Sequence, residues 1–162
     1  MTRSFILASA FAAAALSAAP TVAAGSGSTQ VTGSLAPSCN IVAPPAATFD
    51  PSLTSQQSIG SARYRCNFTG ATTLAFWSQN GGSVVMSASS QNGNVVQSRA
   101  FSLLFDGTSL GVVSNSSASA SVASRNVTAV GVEQLGELKI QLATAANVAG
   151  SYADTIFMSI NP

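Results

Sequence analysis

The sequence predicts an all-β protein, folded as an antiparallel β-sandwich. Its composition is rich in Ser, Thr, Val, Gly and Asn, which suit strands and turns, and 46% of residues are hydrophobic whereas 7% are charged. Many short segments of alternating polarity are separated by turn signals, and no segment has a convincing amphipathic helical pattern. A chain of 162 residues is expected to form one such domain.

Residues 1–24 have the pattern of a secretory signal peptide. Arg3 is followed by an apolar core from Phe5 to Leu16 and then by small residues that suit cleavage. The apolar run is short for a membrane span, although a retained anchor is the alternative. We therefore expect an exported protein, divided into a signal peptide at 1–24, an N-terminal extension at 25–37 and a folded domain at 38–162.

The two cysteines, Cys39 and Cys66, are expected to form a disulfide. An exported chain with an even number of cysteines favours a disulfide over a metal site. The chain has no His, and two thiolates alone do not complete a tetrahedral zinc site. No metal or cofactor is expected.

Residues 29–35 have the pattern of a short amphipathic strand. Val31, Gly33 and Leu35 share one side of it, with polar residues between them. This segment stands ahead of the first cysteine. Two alternatives remain open, namely a first strand of the domain's own sheet or a loose tail.

The folded domain is expected to contain short strands between turns rich in Gly, Asn and Pro. An irregular passage follows the first strand, because Pro44, Pro45 and Pro51 cannot lie in a sheet interior. Turn signals occur at 80–82, 92–94 and 106–107. The Ser/Ala-rich segment 115–124 is expected to be an exposed edge or a loop. The other predicted strands cover residues 38–41, 59–68, 72–77, 83–88, 101–105, 110–113, 127–132 and 137–143.

Residues 150–162 predict a final, half-buried strand. Tyr152, Ile156, Met158 and Ile160 share one parity, whereas most residues of the other parity are small or polar. Phe157 breaks the alternation. An apolar strand with an unpaired edge invites association, so we expect this edge to pair with another chain.

Other functional classes find little support in the sequence. Gly107 to Gly111 matches the letters of the G-x-S-x-G hydrolase motif, but that motif needs a His base and a strand-to-helix turn, so a hairpin is expected. Outside the signal peptide five basic residues balance five acidic ones, which argues against a nucleic-acid partner. Trp77 and the eight Phe residues are expected mainly in the core rather than in a sugar-stacking surface. The scattered carboxylates are expected in turns or on solvated faces.

The segment Val148–Ile156 carries the most distinctive motif. Its spacing of Gly150, Tyr152, Asp154 and Thr155 resembles the closing motif of the spore coat protein U domain family, which includes subunits of archaic chaperone-usher pili. The similarity spans most of residues 30–162. Supporting features are the signal peptide, the two cysteines in their local contexts and the 103–107 hairpin segment. The Arg-x-Met segment usual in that family is missing.

This resemblance implies an immunoglobulin-like sandwich that lacks one strand and therefore has a groove beside its C-terminal strand. A periplasmic chaperone would fill the groove first, and the N-terminal extension of a neighbouring subunit would then replace it at an outer-membrane usher. Such pairing is β-augmentation. The implied donor residues are Val31, Gly33 and Leu35, the implied acceptor-groove residues are Tyr152, Ile156, Met158 and Ile160, and the carboxylate of Pro162 is the implied chaperone anchor.

The sequence and the resemblance together indicate a non-enzymatic subunit of a surface pilus, with roles in adhesion and biofilm formation. Its expected partners are the chaperone, the usher and neighbouring subunits. Its expected location is the periplasm in transit and then the cell surface. The alternative is a self-complete secreted β-sandwich that acts as a coat, matrix or carbohydrate-binding protein. A small hydrolase is a distant third reading.

Overall fold

The computed structural model describes residues 29–87 and 96–162, and the described part of 35–162 forms one compact unit. Apart from one 3-10 turn at Ser117–Ser119, the regular structure of these residues is entirely β. None of the described residues belongs to a helix long and apolar enough to cross a membrane. The strands are β1 (Cys39–Val42), β2 (Gln57–Cys66), β3 (Gly70–Ser78), β4 (Ser83–Met86), β5 (Ser98–Phe105), β6 (Thr108–Gly111), β7 (Ser121–Val127), β8 (Gln134–Leu142), β9 (Tyr152–Ala153) and β10 (Ile156–Asn161).

Two antiparallel sheets form the sandwich, which confirms the predicted fold class. The larger sheet has the strand order β1-β2-β8-β5-β4-β9, with β6 paired to β5. Within residues 29–87 and 96–162, the smaller sheet has three strands, in the order β10-β3-β7. The two sheets therefore differ by several strands in width, and β10 is an edge of the narrower one.

The core lies between the sheets because alternate residues of each strand point inward. Leu74 and Phe76 of β3 are fully buried, as are Leu138 of β8 and Phe101 and Phe105 of β5. The rings of Phe76 and Phe105 join the two sheets with their centroids 5.1 Å apart. The inward residues of β8 are those that the sequence predicted.

The disulfide between Cys39 and Cys66 is present, as predicted. The two cysteines are directly opposite each other in the antiparallel ladder between β1 and β2. Because β1 is a four-residue edge strand, the bridge ties it covalently to the rest of the sheet. It thereby fixes the point at which the chain enters the sandwich.

The Asp106-Gly107 hairpin is also confirmed. Both residues have positive φ, 48° and 76°, as a two-residue turn between β5 and β6 requires. Asp106 accepts a hydrogen bond from the Glu137 amide (2.7 Å) and forms an ion pair with Arg125 (3.0 Å). The G-x-S-x-G letters therefore belong to a hairpin, and Ser109 lies in β6 rather than in a strand-to-helix turn.

Some strand predictions differ from the structure. The predicted last strand is two strands, since β9 pairs with β4 in the larger sheet and β10 pairs with β3 in the smaller one. The predicted strand 127–132 is wrong, because β7 ends at Val127 and turns follow. β7 begins at Ser121 and is an edge strand of the smaller sheet, which agrees with the edge alternative expected for the segment 115–124. The predicted signal peptide at 1–24 and the turn at 92–94 lie outside the described residues.

Candidate functional site

The edge of β10 is the candidate functional site. β10 pairs along one side with β3, and no strand in the described parts of the chain pairs with its other side. Ile156, Met158 and Ile160 are half-buried and pack against the core. A strand with an apolar inner face and one unpaired edge presents a row of main-chain donors and acceptors to a further strand.

A cavity of 540 Å³ lies beside this edge. Its volume is within the range of ligand pockets in proteins. Val84, Phe101, Leu138 and Ile140 of the larger sheet line it, and all four are buried core residues. The cavity therefore opens onto the hydrophobic interior itself. Ile59 of β2 also contributes, and the remaining lining comes from two walls, residues 43–51 (with the exception of Asp50) and residues 150–158 (with the exception of Phe157).

The first wall, residues 43–51, is the predicted Pro-rich irregular passage, and close packing against a glycine holds one end of it. Gly60 lies at a bulge in β2 with φ of 108°. A Cβ placed on Gly60 would be 2.7 Å from Cβ of Pro44, so only glycine permits this approach. This contact was not predicted from the sequence, although a glycine inside a strand is a known signal for a bulge or a close backbone approach.

The other end of this wall is held by hydrogen bonds. The side chain of Gln57 accepts from the Asp50 amide (2.7 Å) and donates to the Asp50 carbonyl (2.8 Å). The Ala146 amide donates to the carbonyl of Pro51 (2.7 Å). These bonds hold the segment in place where the prolines prevent β-sheet hydrogen bonding. They fix the wall and leave the cavity open.

The second wall is shaped by the break between β9 and β10. Oδ1 of Asp154 accepts hydrogen bonds from the amides of Asn80 (3.0 Å) and Thr155 (2.8 Å). The Tyr152 hydroxyl contacts the carbonyl of Val148 (2.9 Å) and Oε1 of Gln97 (3.0 Å). The spacing of Tyr152 and Asp154 in this motif therefore has a local role, because it lets the chain change sheets at the mouth of the cavity.

The predicted acceptor-groove residues are brought together in part. Tyr152, Ile156 and Met158 line the cavity, although Tyr152 belongs to the opposite sheet from the other two. Ile160 packs against the same core but is not part of the lining. Pro162 follows β10 and is exposed to solvent.

The predicted donor residues are in a segment without regular structure. Residues 29–38 belong to no strand in this structure. Val31 is 91% exposed and Leu35 is 84% exposed, and no atom lies within 4 Å of a Cβ built on Gly33. The strand predicted for 29–35 is therefore not formed within this chain, and its apolar side chains are available for a contact.

The junction between the extension and the domain contains a residue that the sequence analysis missed. Asn67 follows β2, and its side chain donates to the carbonyl of Ala36 (2.9 Å) and accepts from the amide of Ser38 (2.7 Å). Its own amide donates to the Ser38 carbonyl (3.0 Å). Asn67 therefore holds residues 36–38 at the start of β1.

The outer face of the smaller sheet carries an aromatic pair. Trp77 and Phe157 are directly opposite each other on β3 and β10, with ring centroids 5.7 Å apart and planes 20° from parallel. Phe157 is 41% exposed, which explains why it breaks the inward alternation of its strand. The prediction that Trp77 belongs to the core is wrong, since it lies on this outer face.

Comparison with known proteins adds no assignment to this geometry. No protein-family model matches the chain. A search of curated proteins likewise found no match.

Proposed function

We propose that this protein is a structural subunit that assembles by strand insertion, in which an extended segment of one copy fills the groove beside β10 of the next. The observation that carries the proposal is the cavity on the unpaired edge of β10, which is lined by core residues of the opposite sheet. An inserted strand would add a fourth member to the narrow sheet. It would also cover apolar side chains that this chain leaves half-buried.

The chemistry of the groove suits an extended peptide. The free edge of β10 offers main-chain hydrogen bonds, which supply affinity without regard to side chains. The cavity accepts every second side chain of the inserted strand, because successive residues of a strand point to opposite faces. A matching peptide therefore needs small or apolar residues at alternate positions.

The N-terminal extension of a second copy has this pattern. Val31, Gly33 and Leu35 are spaced two residues apart, and the two apolar side chains are almost fully exposed in this structure. Burying a side chain of this size contributes about 1.5–3 kcal/mol. Gly33 would leave room where the inserted strand passes closest to the groove.

Assembly of this kind gives a fibre rather than a closed dimer. Each copy has one groove and one extension, so each contact is head to tail and leaves one of each free. The resemblance to subunits of chaperone-usher pili agrees with this geometry. We accordingly extend the proposal to the route of assembly. The protein would be exported, a periplasmic chaperone anchored at Pro162 would cap its groove, and an outer-membrane usher would then pass it to the cell surface. There the fibre would act in adhesion or biofilm formation.

Two substitutions in the extension test the proposal. In the exported chain (residues 25–162), Leu35→Asp should abolish fibre formation because it would place a carboxylate in an apolar cavity, and Gly33→Leu should do so by steric conflict. Ser34→Asp is the matched control, because position 34 has the opposite parity and should tolerate a charge. Fibre yield is measured by sedimentation and electron microscopy.

We expect wild type and Ser34→Asp to form fibres in equal yield, and Leu35→Asp and Gly33→Leu to form none. Equal fibre yield from all four proteins would contradict the donor assignment. A wild-type protein that remains a stable monomer at all concentrations would favour a self-complete secreted sandwich instead.

A further inference from the structure

The entry point of the chain and the cavity lie at opposite ends of β10. Sγ of Cys39, the first residue of β1, is 3.9 Å from Oγ1 of Thr72, and that hydroxyl donates to the carbonyl of Asn161 (2.5 Å). β1 therefore begins beside the last residue of β10. Ile156 and Met158, near the first residue of β10, line the cavity instead.

Chain direction makes this separation important. From Cys39, β1 leads towards Ala43, the first residue of the cavity wall. The span from Asn161 back to Ile156 is about 17 Å at 3.3 Å per residue. The proposed donor residues 31–35 can reach the cavity of their own chain only if the chain reverses direction between them and β1, within residues 36–38.

Residues 36–38 are held in a way that opposes such a reversal. Asn67 makes three hydrogen bonds to them, two through its side chain and one through its amide. Pro37 fixes its own φ and restricts Ala36, so the chain has fewer ways to turn here, although proline itself is compatible with a turn. A tight turn at this point would require the loss of the side-chain bonds of Asn67.

We propose that Asn67 is a positioning residue that prevents the extension from folding back into the groove of its own chain, and so reserves the groove for a second copy. This inference rests on the proposed function. It gives Asn67 a role in specificity, because the extension could otherwise fill the groove of its own chain as well as the groove of a second copy. Holding the junction also lowers the conformational entropy that is lost when the extension binds another copy.

The test compares Asn67→Ala with wild type in the exported chain (residues 25–162). The variant loses two neutral side-chain hydrogen bonds, so it should assemble about thirtyfold more slowly. The protein that does not assemble should be a monomer whose own extension fills its groove. In this closed monomer the β10 amides should be protected from hydrogen exchange even at high dilution. Asn67→Asp keeps an acceptor for the Ser38 amide and should give an intermediate result. Asn40→Ala, an exposed asparagine on β1, is the matched control.

The outcomes separate this inference from the proposed function. Wild-type assembly that is blocked by Leu35→Asp but unchanged in Asn67→Ala would overturn the role of Asn67 and leave the proposed function intact. Absence of assembly in the wild type would overturn the proposed function itself. If Asn67→Ala unfolds, as circular dichroism would report, Asn67→Asp decides the question by the same comparison of fibre with closed monomer.

Discussion

Replacing both Cys39 and Cys66 by alanine is expected to lower the free energy of unfolding by about 3 to 4 kcal/mol. The bridge joins residues 27 positions apart, so its loss releases a long loop in the unfolded chain. It also frees β1, whose one strand partner among the described residues is β2. Domains have total stabilities of about 5–15 kcal/mol, so the loss would be a large fraction of the total. Urea unfolding of the oxidised wild type and the double variant measures the difference.

The assembly-blocked background Leu35→Asp should be used for this measurement, so that polymerisation does not add to the apparent stability. The Leu35→Asp protein in reducing agent is the second arm and should match the double cysteine variant made in the same background. Unfolding midpoints that agree within error across all arms would show that the bridge does not stabilise the fold.

Gly136→Ala is expected to destabilise the sandwich by about 2 to 3 kcal/mol, towards the upper end of the range for overpacked cores. Gly136 is buried in β8, and a Cβ placed there would be 2.0 Å from Cζ and 2.2 Å from Cε2 of Phe105. The Phe105 ring is itself fully buried between Phe76 and the Arg125 guanidinium, so it has little room to move. Thermal and urea unfolding give the change.

Phe105→Leu provides the matched test of the cause. Removing the ring should relieve the conflict, so Gly136→Ala combined with Phe105→Leu should cost at least about 1 kcal/mol less than the two single changes added together. Strictly additive effects would mean that the methyl group at position 136 meets something other than the ring.

Residue alternation was enough to predict most of the strands and the sandwich. In β8 the inward series Leu138, Ile140 and Leu142 follows directly from period-two patterning, and the Asp106-Gly107 dipeptide predicts its hairpin from local backbone geometry. Such features depend on nearby residues. The disulfide could be predicted for a different reason, since the chain has only two cysteines.

The break in the last strand could not be predicted by alternation. Tyr152 and Ile156 share a parity whether they lie on one strand or on two, because they are four positions apart and both face the core. The change of sheet depends on Asp154, whose carboxylate binds an amide of Asn80, 74 positions away in the sequence. Contacts over that distance are set by the tertiary fold.

The candidate site was predicted in outline but not in its walls. The apolar parity of residues 150–162 indicated one side of a groove. The opposite side is the passage around Pro44, which packs on Gly60, and the floor comes from β4, β5 and β8. Proline excluded this passage from a sheet interior but could not indicate what it would pack against. The role of Asn67 likewise depends on the approach of residues 36–38 to the end of β2.

Insertion of the extension beside β10 is tested most directly by hydrogen exchange with a synthetic peptide of residues 25–37. The receiving protein is the Leu35→Asp chain, whose groove residues are unchanged. The peptide should slow exchange at every second amide of β10 as it binds, whereas the same peptide carrying Asp at position 35 should not. Unchanged exchange throughout β10 at saturating concentrations of the native peptide would contradict strand insertion.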